Sequence, residues 1–354
     1  MEKRPGIEFM GLSCPLPITD YKNVLLAHGG GGRLTQELVQ KMFLARFRNE
    51  LLEPLHDGAV FSIDGVRLAF STDSYVVSPI FFPGGDIGEL AVNGTVNDLA
   101  MCGAQPLYLS AAFIIEEGLP MEELWRVVLS MQEAAKRAGV KLVTGDTKVV
   151  DRGKGDKIFV NTSGVGVIAE GIDVSSKRAT AGDQIILSGA IAVHGIAIMS
   201  VREGLEFSTE IESDTAPLNE LVQAMFRASK HIHVLRDPTR GGVASALNEI
   251  AESSNVGIVI SETSVPLTEG VRGACEILGL DPLYVANEGK LLAFVSAGDS
   301  AKVLEAMRAH PLGTEAAVIG EVTNGHPGTV IMKSRIGGSR VVDMLSGEQL
   351  PRIC

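Results

Sequence analysis

Ala59-Val-Phe-Ser-Ile-Asp-Gly-Val-Arg-Leu-Ala-Phe70 holds two strand-like runs joined by Asp64-Gly65. Asp-Gly between β-prone runs is a strong short-range hairpin signal, because a two-residue turn needs positive φ at its centre. The hairpin commits the first half of the chain to antiparallel pairing before any helix of that sheet appears. The stretches that follow read as a helix (87–101), a buried strand (107–115), a helix (121–138) and strands at 140–143 and 157–168. Pro120 is placed to start the 121–138 helix and Gly139 to end it. Before the hairpin, apolar residues Leu34, Leu38, Val39, Met42, Phe43 and Phe47 recur at helical steps.

The weakly patterned stretch 170–183, with Gly171, Ser175, Ser176 and Gly182, reads as a domain boundary. Beyond it strands are expected at 184–187, 232–235, 256–260 and 290–296, and terminal strands within 316–343. Helices are expected near 194–203, 217–229, 241–253, 266–278 and 300–309. Hairpins mixed with helices in both halves point to an α+β protein of two mixed α/β-layer domains, not to a doubly wound parallel sheet. The expected organisation is an irregular arm (1–20), an N-terminal domain (21–170), a C-terminal α+β domain (171–345) and a flexible tail (346–354).

The 354 residues carry a net charge of −12, with a pI near 5.1 and no dense Lys/Arg run. Nucleic acid and anionic membrane surfaces are therefore poor partners. Hydrophobic residues make up 45% but aromatics only 5%, so the core is built from Val, Ile, Leu and Ala. Four cysteines (Cys14, Cys102, Cys275 and Cys354) form no C-x-x-C pair. This gives no sign of a zinc ribbon or disulfide scaffold, and a reduced, cytoplasmic setting is expected. The most apolar window, 185–201, is interrupted by Ser188, Gly189, His194, Gly195 and Ser200, so no membrane span is expected. The apolar stretch after Met1-Glu-Lys-Arg-Pro-Gly is too short and broken for a signal peptide.

Gly29, Gly30, Gly31 and Gly32 lie between a strand-like run and a helix. Such a loop can aim backbone N–H groups at a phosphate, or simply turn the chain. No Lys-Ser/Thr follows, so it is not a P-loop. Asp57, Asp73, Asp98 and Asp146 sit at element ends or in apolar settings. Converging carboxylates suit Mg²⁺ on nucleotide phosphates, whereas singly each is an ordinary cap or turn former. Lys148 can contact phosphate or act as a base, or be a solvated lysine. Glu288 can be a general base or a turn acid. Arg240, in Asp237-Pro-Thr-Arg-Gly-Gly242, can hold phosphate or belong to a helix cap. His231 and His233 share a strand face but lack a third ligand, and Cys14 reads as an inert thiol. Cys354 stands on a tail that no core needs to hold. Extended, the tail spans ~25 Å, enough for a carrier thiol to visit two sites, although an incidental thiol is the plainer reading.

Specific stretches carry a resemblance: His28-Gly-Gly-Gly-Gly32, Ala69-Phe-Ser-Thr-Asp-Ser-Tyr75, Phe81-Phe-Pro-Gly-Gly85 and Glu116-Glu-Gly-Leu-Pro120. They continue with Val143-Thr-Gly-Asp-Thr-Lys-Val-Val150, Leu235-Arg-Asp-Pro-Thr-Arg-Gly-Gly-Val243, Ala286-Asn-Glu-Gly-Lys290 and Pro351-Arg-Ile-Cys354. With these, residues 24–354 resemble the HypE family of hydrogenase maturation factors, in the superfamily of aminoimidazole ribonucleotide synthetase and selenophosphate synthetase. His56-Asp57 departs from the paired acids common at that place in the superfamily.

The resemblance implies an enzyme that makes the cyanide ligands of nickel–iron hydrogenase. A HypF carbamoyltransferase would load Cys354, and ATP with Mg²⁺ would drive dehydration of the S-carbamoyl group to a thiocyanate. Cyanide would then pass to a HypC–HypD complex. Glu288 is the implied base and Lys148 its charge partner. The nucleotide would rest on Gly29 to Gly32, Asp73, Asp98, Asp146, Thr147 and Arg240, in an ATP-binding N-terminal domain. The metal would rest on Asp57, Asp73, Asp98 and Asp146. The N-terminal domains of a homodimer would pair into a β-barrel. A small-molecule ATP-dependent synthetase of the same superfamily, or a non-catalytic nucleotide-responsive scaffold, are the alternatives.

Overall fold

The computed structural model describes residues 18, 20–205, 211–347, 350 and 352–354. Most of the expected N-terminal arm, with Cys14, lies outside the described residues. So do residues 348, 349 and 351 of the tail. Among the described residues no helix is long and apolar enough to cross a membrane.

The Asp64-Gly65 turn, with φ of +50° and +83°, joins β1 (Ala59–Ile63) to β2 (Val66–Tyr75) as an antiparallel hairpin. Ahead of it, α1 (Arg33–Leu38) passes through a π-helical turn (Val39–Leu44) into the short α2 (Ala45–Phe47). The first sheet has the order β1-β2-β7-β5-β6. Its other strands are β5 (Ala104–Glu116), β6 (Lys141–Val150) and β7 (Ile158–Ile168). A two-stranded ribbon, β3 (Phe81–Phe82) with β4 (Gly85–Asp86), leads into α3 (Ile87–Met101). The Asp86 side chain caps α3 by accepting from Gly88 N at 2.7 Å and Glu89 N at 3.2 Å. Nearly every residue of α3 is buried, as it lies under the sheet and against α4 (Met121–Ala138). Gly139, at φ +70°, ends α4.

Three pairings of this sheet are antiparallel, while β5–α4–β6 is a parallel crossover unit. The sequence reading ended the strand at residue 143, whereas β6 runs to Val150. Its second half, Gly145-Asp-Thr-Lys148, is polar because the strand is an edge exposed over 141–149. Burial periodicity cannot mark such a strand. β2 continues through Asp73 to Tyr75, where the reading had placed Asp73 after the strand, because the polar run Ser71-Thr-Asp-Ser74 pairs with β7.

The second sheet has the order β14-β13-β10-β12-β8-β11-β9. Its strands are β8 (Gln184–Leu187), β9 (Ile232–Arg236), β10 (Gly257–Ser261), β11 (Leu292–Val295), β12 (Ala317–Thr323), β13 (Val330–Lys333) and β14 (Ser339–Val341). Around it lie α5 (Val193–Glu203), α6 (Asn219–Ala228), α7 (Gly242–Ser254), α8 (Glu269–Leu278) and α9 (Ser300–Arg308). Its central strands are buried on both faces. Ile186, Leu235, Ala293 and Val295 join the core that contains α3, while Ile185, Leu187, Val234, Leu292 and Phe294 join a second core on the other face. This accounts for continuous apolar runs such as Leu292-Ala-Phe-Val295. The shared first core presses the end of β9 and its loop against α3 and β2. That contact positions the site.

Candidate active site

A cavity of about 230 Å³ opens where β2, α3 and the loop after β9 meet. Asp57, Asp73, Asp98, Asp237, Arg240, Glu288 and Cys354 all line it. Asp98 comes from α3, Asp73 from β2, Asp57 from the stretch before the hairpin, and Asp237 and Arg240 from the loop between β9 and α7. Six of these seven are expected site residues, drawn together from distant parts of the chain.

Asp57, Asp98 and Asp237 each offer an oxygen within 4.8 Å of the others. Burial, with the charges of Asp237, Asp73 and Asp57, pushes Asp98 well above the usual carboxylate range. Asp98 also accepts from Ser71 Oγ at 2.7 Å. Burial, with Asp57 beside it, raises Asp237 to about 7. Burial also acts to raise Asp57, but its ion pair with Arg236 and its contact with His56 outweigh that and leave it below the usual value. Three crowded carboxylates, one of whose oxygens, Asp57 Oδ2, accepts no hydrogen bond among the described residues although it lies 3.3 Å from His56 Nδ1, are an all-oxygen donor set. A small hard divalent cation relieves their repulsion, so the residues fit Mg²⁺. Asp237 was passed over in the sequence as part of a cap. The signal available was its place three residues before Arg240, within the same quoted stretch.

Glu288 is 4% exposed, and its Oε1 has no hydrogen-bond partner among the described residues. Burial, followed by the fields of Asp237, Asp73 and Asp214, holds its carboxyl protonated well above the ordinary value. Its backbone is clamped on both sides. The N–H donates to Asp214 Oδ1 at 3.1 Å, and the carbonyl accepts from Asn97 Nδ2 at 3.3 Å. Neither Asp214 nor Asn97 stood out in the sequence.

Cys354 is 7% exposed, where the sequence reading expected a solvated thiol on a mobile tail. Ile353 is buried in the core shared by the two sheets, and that apolar anchor is the physical reason for the docked position. Burial pushes the Cys354 thiol up to about 12, opposed by the Arg240 guanidinium and reinforced by Glu288 and Asp73.

The four glycines lie beside the site, partly for steric reasons. Gly31 has φ +74°, and a Cβ there would meet Arg240 O at 2.6 Å; at Gly32 a Cβ would meet Leu345 O at 2.3 Å. Gly30 N donates to Ala27 O and Gly31 N to Thr35 Oγ1. In this structure those two N–H groups therefore face the chain itself. Gly29 is open, and its carbonyl accepts from Arg240 at 3.2 Å.

Asp146, Thr147 and Lys148 do not join the cavity. They lie on β6, and Lys148 Nζ sits 2.7 Å from both carboxylate oxygens of Asp146 in an exposed pair. Two strands separate β6 from β2, so at ~4.8 Å per step the Asp73 strand is roughly 14 Å away. The expected gathering of Asp146 with Asp57, Asp73 and Asp98 is thus not made within one chain. His231 and His233 pair with separate carboxylates, Asp299 at 2.9 Å and Asp183 at 2.8 Å, and do not converge.

A two-sheet protein with an acidic, metal-fitting cleft between its domains belongs to a class shared with known enzymes. Residues 55–168 match the AIR synthase related protein N-terminal domain, and residues 180–333 match the corresponding C-terminal domain. Carbamoyl dehydratase HypE of Cupriavidus necator is 54% identical over 99% of both chains. Its Escherichia coli K12 counterpart is 47% identical over 94% of this chain and 99% of its own. The crystal structure of a HypE–HypF complex aligns with a TM-score of 0.83 at 51% identity, covering 87% of this chain and 99% of that one. A HypE structure in complex with ATP aligns at 0.80 and 50% identity, covering 94% and 100%. The chain belongs to the HypE family of carbamoyl dehydratases, enzymes of hydrogenase maturation.

Proposed function

We propose that this protein dehydrates an S-carbamoyl group on its own Cys354 to a thiocyanate, at the expense of ATP, and so supplies cyanide for the iron of nickel–iron hydrogenase. The observation that carries the reading is the seat of the Cys354 thiol in the acidic cavity, beside Glu288 and Arg240. An incidental terminal thiol has no reason to be buried against an unpaired carboxyl group.

An amide oxygen is a poor leaving group, and a phosphate ester of it is a good one. The carbamoyl oxygen takes the γ-phosphoryl group of ATP and ADP leaves; the nitrogen then gives up its two protons, one to Glu288 and one to solvent, as the C–O bond breaks to leave phosphate and S–C≡N. Phosphoryl transfer asks mainly for positioning and charge neutralisation. Asp57, Asp98 and Asp237 would hold Mg²⁺, which when bound neutralises phosphate charge; Asp73 borders the same space. Arg240 faces the phosphate side, and Gly29 to Gly32 border it. Glu288 takes a proton from nitrogen. Burial is the first cause of its raised carboxyl and the fields of Asp237, Asp73 and Asp214 add to it; neutralising that charge removes the second part and moves Glu288 toward acting as a base.

Lys148, with Asp146 and Thr147, would enter this site from a second copy. The exposed β6 edge, with Leu142, Val143 and Val149 uncovered, supports a homodimer whose N-terminal domains close a β-barrel. A HypF-type carbamoyltransferase would load Cys354 with the tail swung out, and a HypC–HypD-type complex would receive the cyanide. The same reading places the working protein in the cytoplasm and divides the chain near residue 170, with the tail from 346. Single-turnover phosphate release tests it. The S-carbamoylated protein releases one phosphate per loaded chain, and Cys354→Ala protein releases none above background. Equal release from both would end the carrier-thiol reading.

A further inference from the structure

Among the described residues, the backbone carbonyls of Arg352, Ile353 and Cys354 each accept from a donor outside the tail. The Cys354 carbonyl accepts from Val76 N at 3.0 Å. The Ile353 carbonyl accepts from His194 Nε2 at 2.8 Å. The Arg352 carbonyl accepts from Ser78 N at 3.3 Å and from the Arg202 guanidinium. His194 and Arg202 stand at the two ends of α5, and Val76 and Ser78 continue from β2. Around this row the Arg352 side chain donates to Val76 O at 3.0 Å and pairs with Asp156.

His194 is the one fully buried donor in the row that is a side chain. A carbonyl only accepts, so His194 Nε2 carries the hydrogen and Nδ1 accepts from Ser213 Oγ at 2.8 Å. Burial keeps the ring neutral. Phe82 meets the ring edge-on with centroids 5.6 Å apart, which fixes its plane. The ring is thus oriented from two sides to present one N–H where a tail carbonyl arrives.

We infer that His194, supported by Arg202 and the Asp156–Arg352 pair, is the positioning device that seats the tail and sets Cys354 against Glu288. Arg352 takes a positive φ of 51°, so the tail turns there, and it is docked through main-chain carbonyls that leave the terminal side chain free to carry a group. The purpose rests on the carrier-thiol reading, but the first test does not.

The full-length, nucleotide-free protein is treated with iodoacetamide at neutral pH, and each cysteine peptide is quantified by mass spectrometry. Buried Cys102 and Cys275 serve as internal controls. In His194→Ala the rate at Cys354 rises about tenfold, the factor for loss of one hydrogen bond of about 1.4 kcal/mol, with Cys102 and Cys275 unchanged. Asp156→Asn, at a half-buried position, raises it by a smaller factor. His194→Gln, which keeps an N–H donor, returns the rate toward that of the parent chain. An unchanged rate at Cys354, or a parallel rise at Cys102 and Cys275, overturns the inference. A second readout separates positioning from folding: in His194→Ala, dehydration of the S-carbamoyl protein slows while carbamoyl loading by HypF does not. If both slow together, the positioning role is refuted. If no dehydration occurs even in the parent chain, the proposed function fails while the labelling result still decides the docking device.

Discussion

On the proposed function Lys148 acts across a dimer, and mixing two inactive variants tests this directly. In one chain Lys148 lies on β6, roughly 14 Å from the Asp73 strand at ~4.8 Å per strand step, which is farther than a lysine side chain reaches. Lys148→Ala and Glu288→Ala each lose about 10²–10⁴-fold in dehydration rate, the usual worth of a proton-transfer group. When the two variants are unfolded, mixed in equal amounts and refolded, half of the dimers contain one of each. In a mixed dimer with two-fold symmetry, one site has both Glu288 and Lys148 and the other has neither. The mixture should therefore recover about one quarter of the parent activity per chain, far above either variant alone. The assay is phosphate release from S-carbamoyl protein in single turnover, with heterodimer content checked by native mass spectrometry. If mixed dimers form and activity stays at the level of the separate variants, Lys148 works within its own chain or not at all, and the role given to the β6 edge is wrong.

Other consequences follow from single residues. Because burial holds the Cys354 thiol near 12, its alkylation in the nucleotide-free protein should keep rising from pH 8 to 11, where an open thiol levels off above about 8.5; a plateau near pH 9 would show an undocked tail. Gly31→Ala places a Cβ against the Arg240 carbonyl at positive φ, and should cost about 1–2 kcal/mol in thermal unfolding and disturb Arg240; wild-type stability and turnover would refute the close approach. Phe294→Ala, at a fully buried site on β11, should cost about 3–5 kcal/mol, read as a large drop in Tm. Asp237→Asn should weaken Mg²⁺ binding in calorimetry while leaving Tm without metal equal or higher, since it relieves repulsion among Asp57, Asp98 and Asp237. Unchanged Mg²⁺ affinity would remove Asp237 from the donor set.

The hairpin at Asp64-Gly65 and the helix between Pro120 and Gly139 were legible because their signals are local and steric. The helices and strands of the second sheet were legible from apolar runs with clear ends. Strand β6 was cut short because its second half is polar and exposed, so the information that extends it lies in its pairing with β5 and not in its own pattern. Within the site, Asp57, Asp73, Asp98, Arg240, Glu288 and Cys354 were picked out as carboxylate, base or thiol candidates, but only the fold shows that they share one cavity. Asp237 was hidden by a loop that reads as a cap, and Asn97, Asp214 and His194 by settings in which polar residues usually serve packing. Asp146 was grouped with the other acids by sequence motif alone. The order of strands in the sheet separates it from them.

The central claim concerns the fate of Cys354. The full-length protein is incubated with HypF, carbamoyl phosphate and Mg-ATP, chased with fresh Mg-ATP, and cleaved after Glu348. Mass spectrometry of the Gln349 to Cys354 peptide should show the gain of one carbamoyl group and then the loss of one water. A peptide that stays unmodified while HypF acts on a control acceptor, or that is carbamoylated and never dehydrated, would contradict the account.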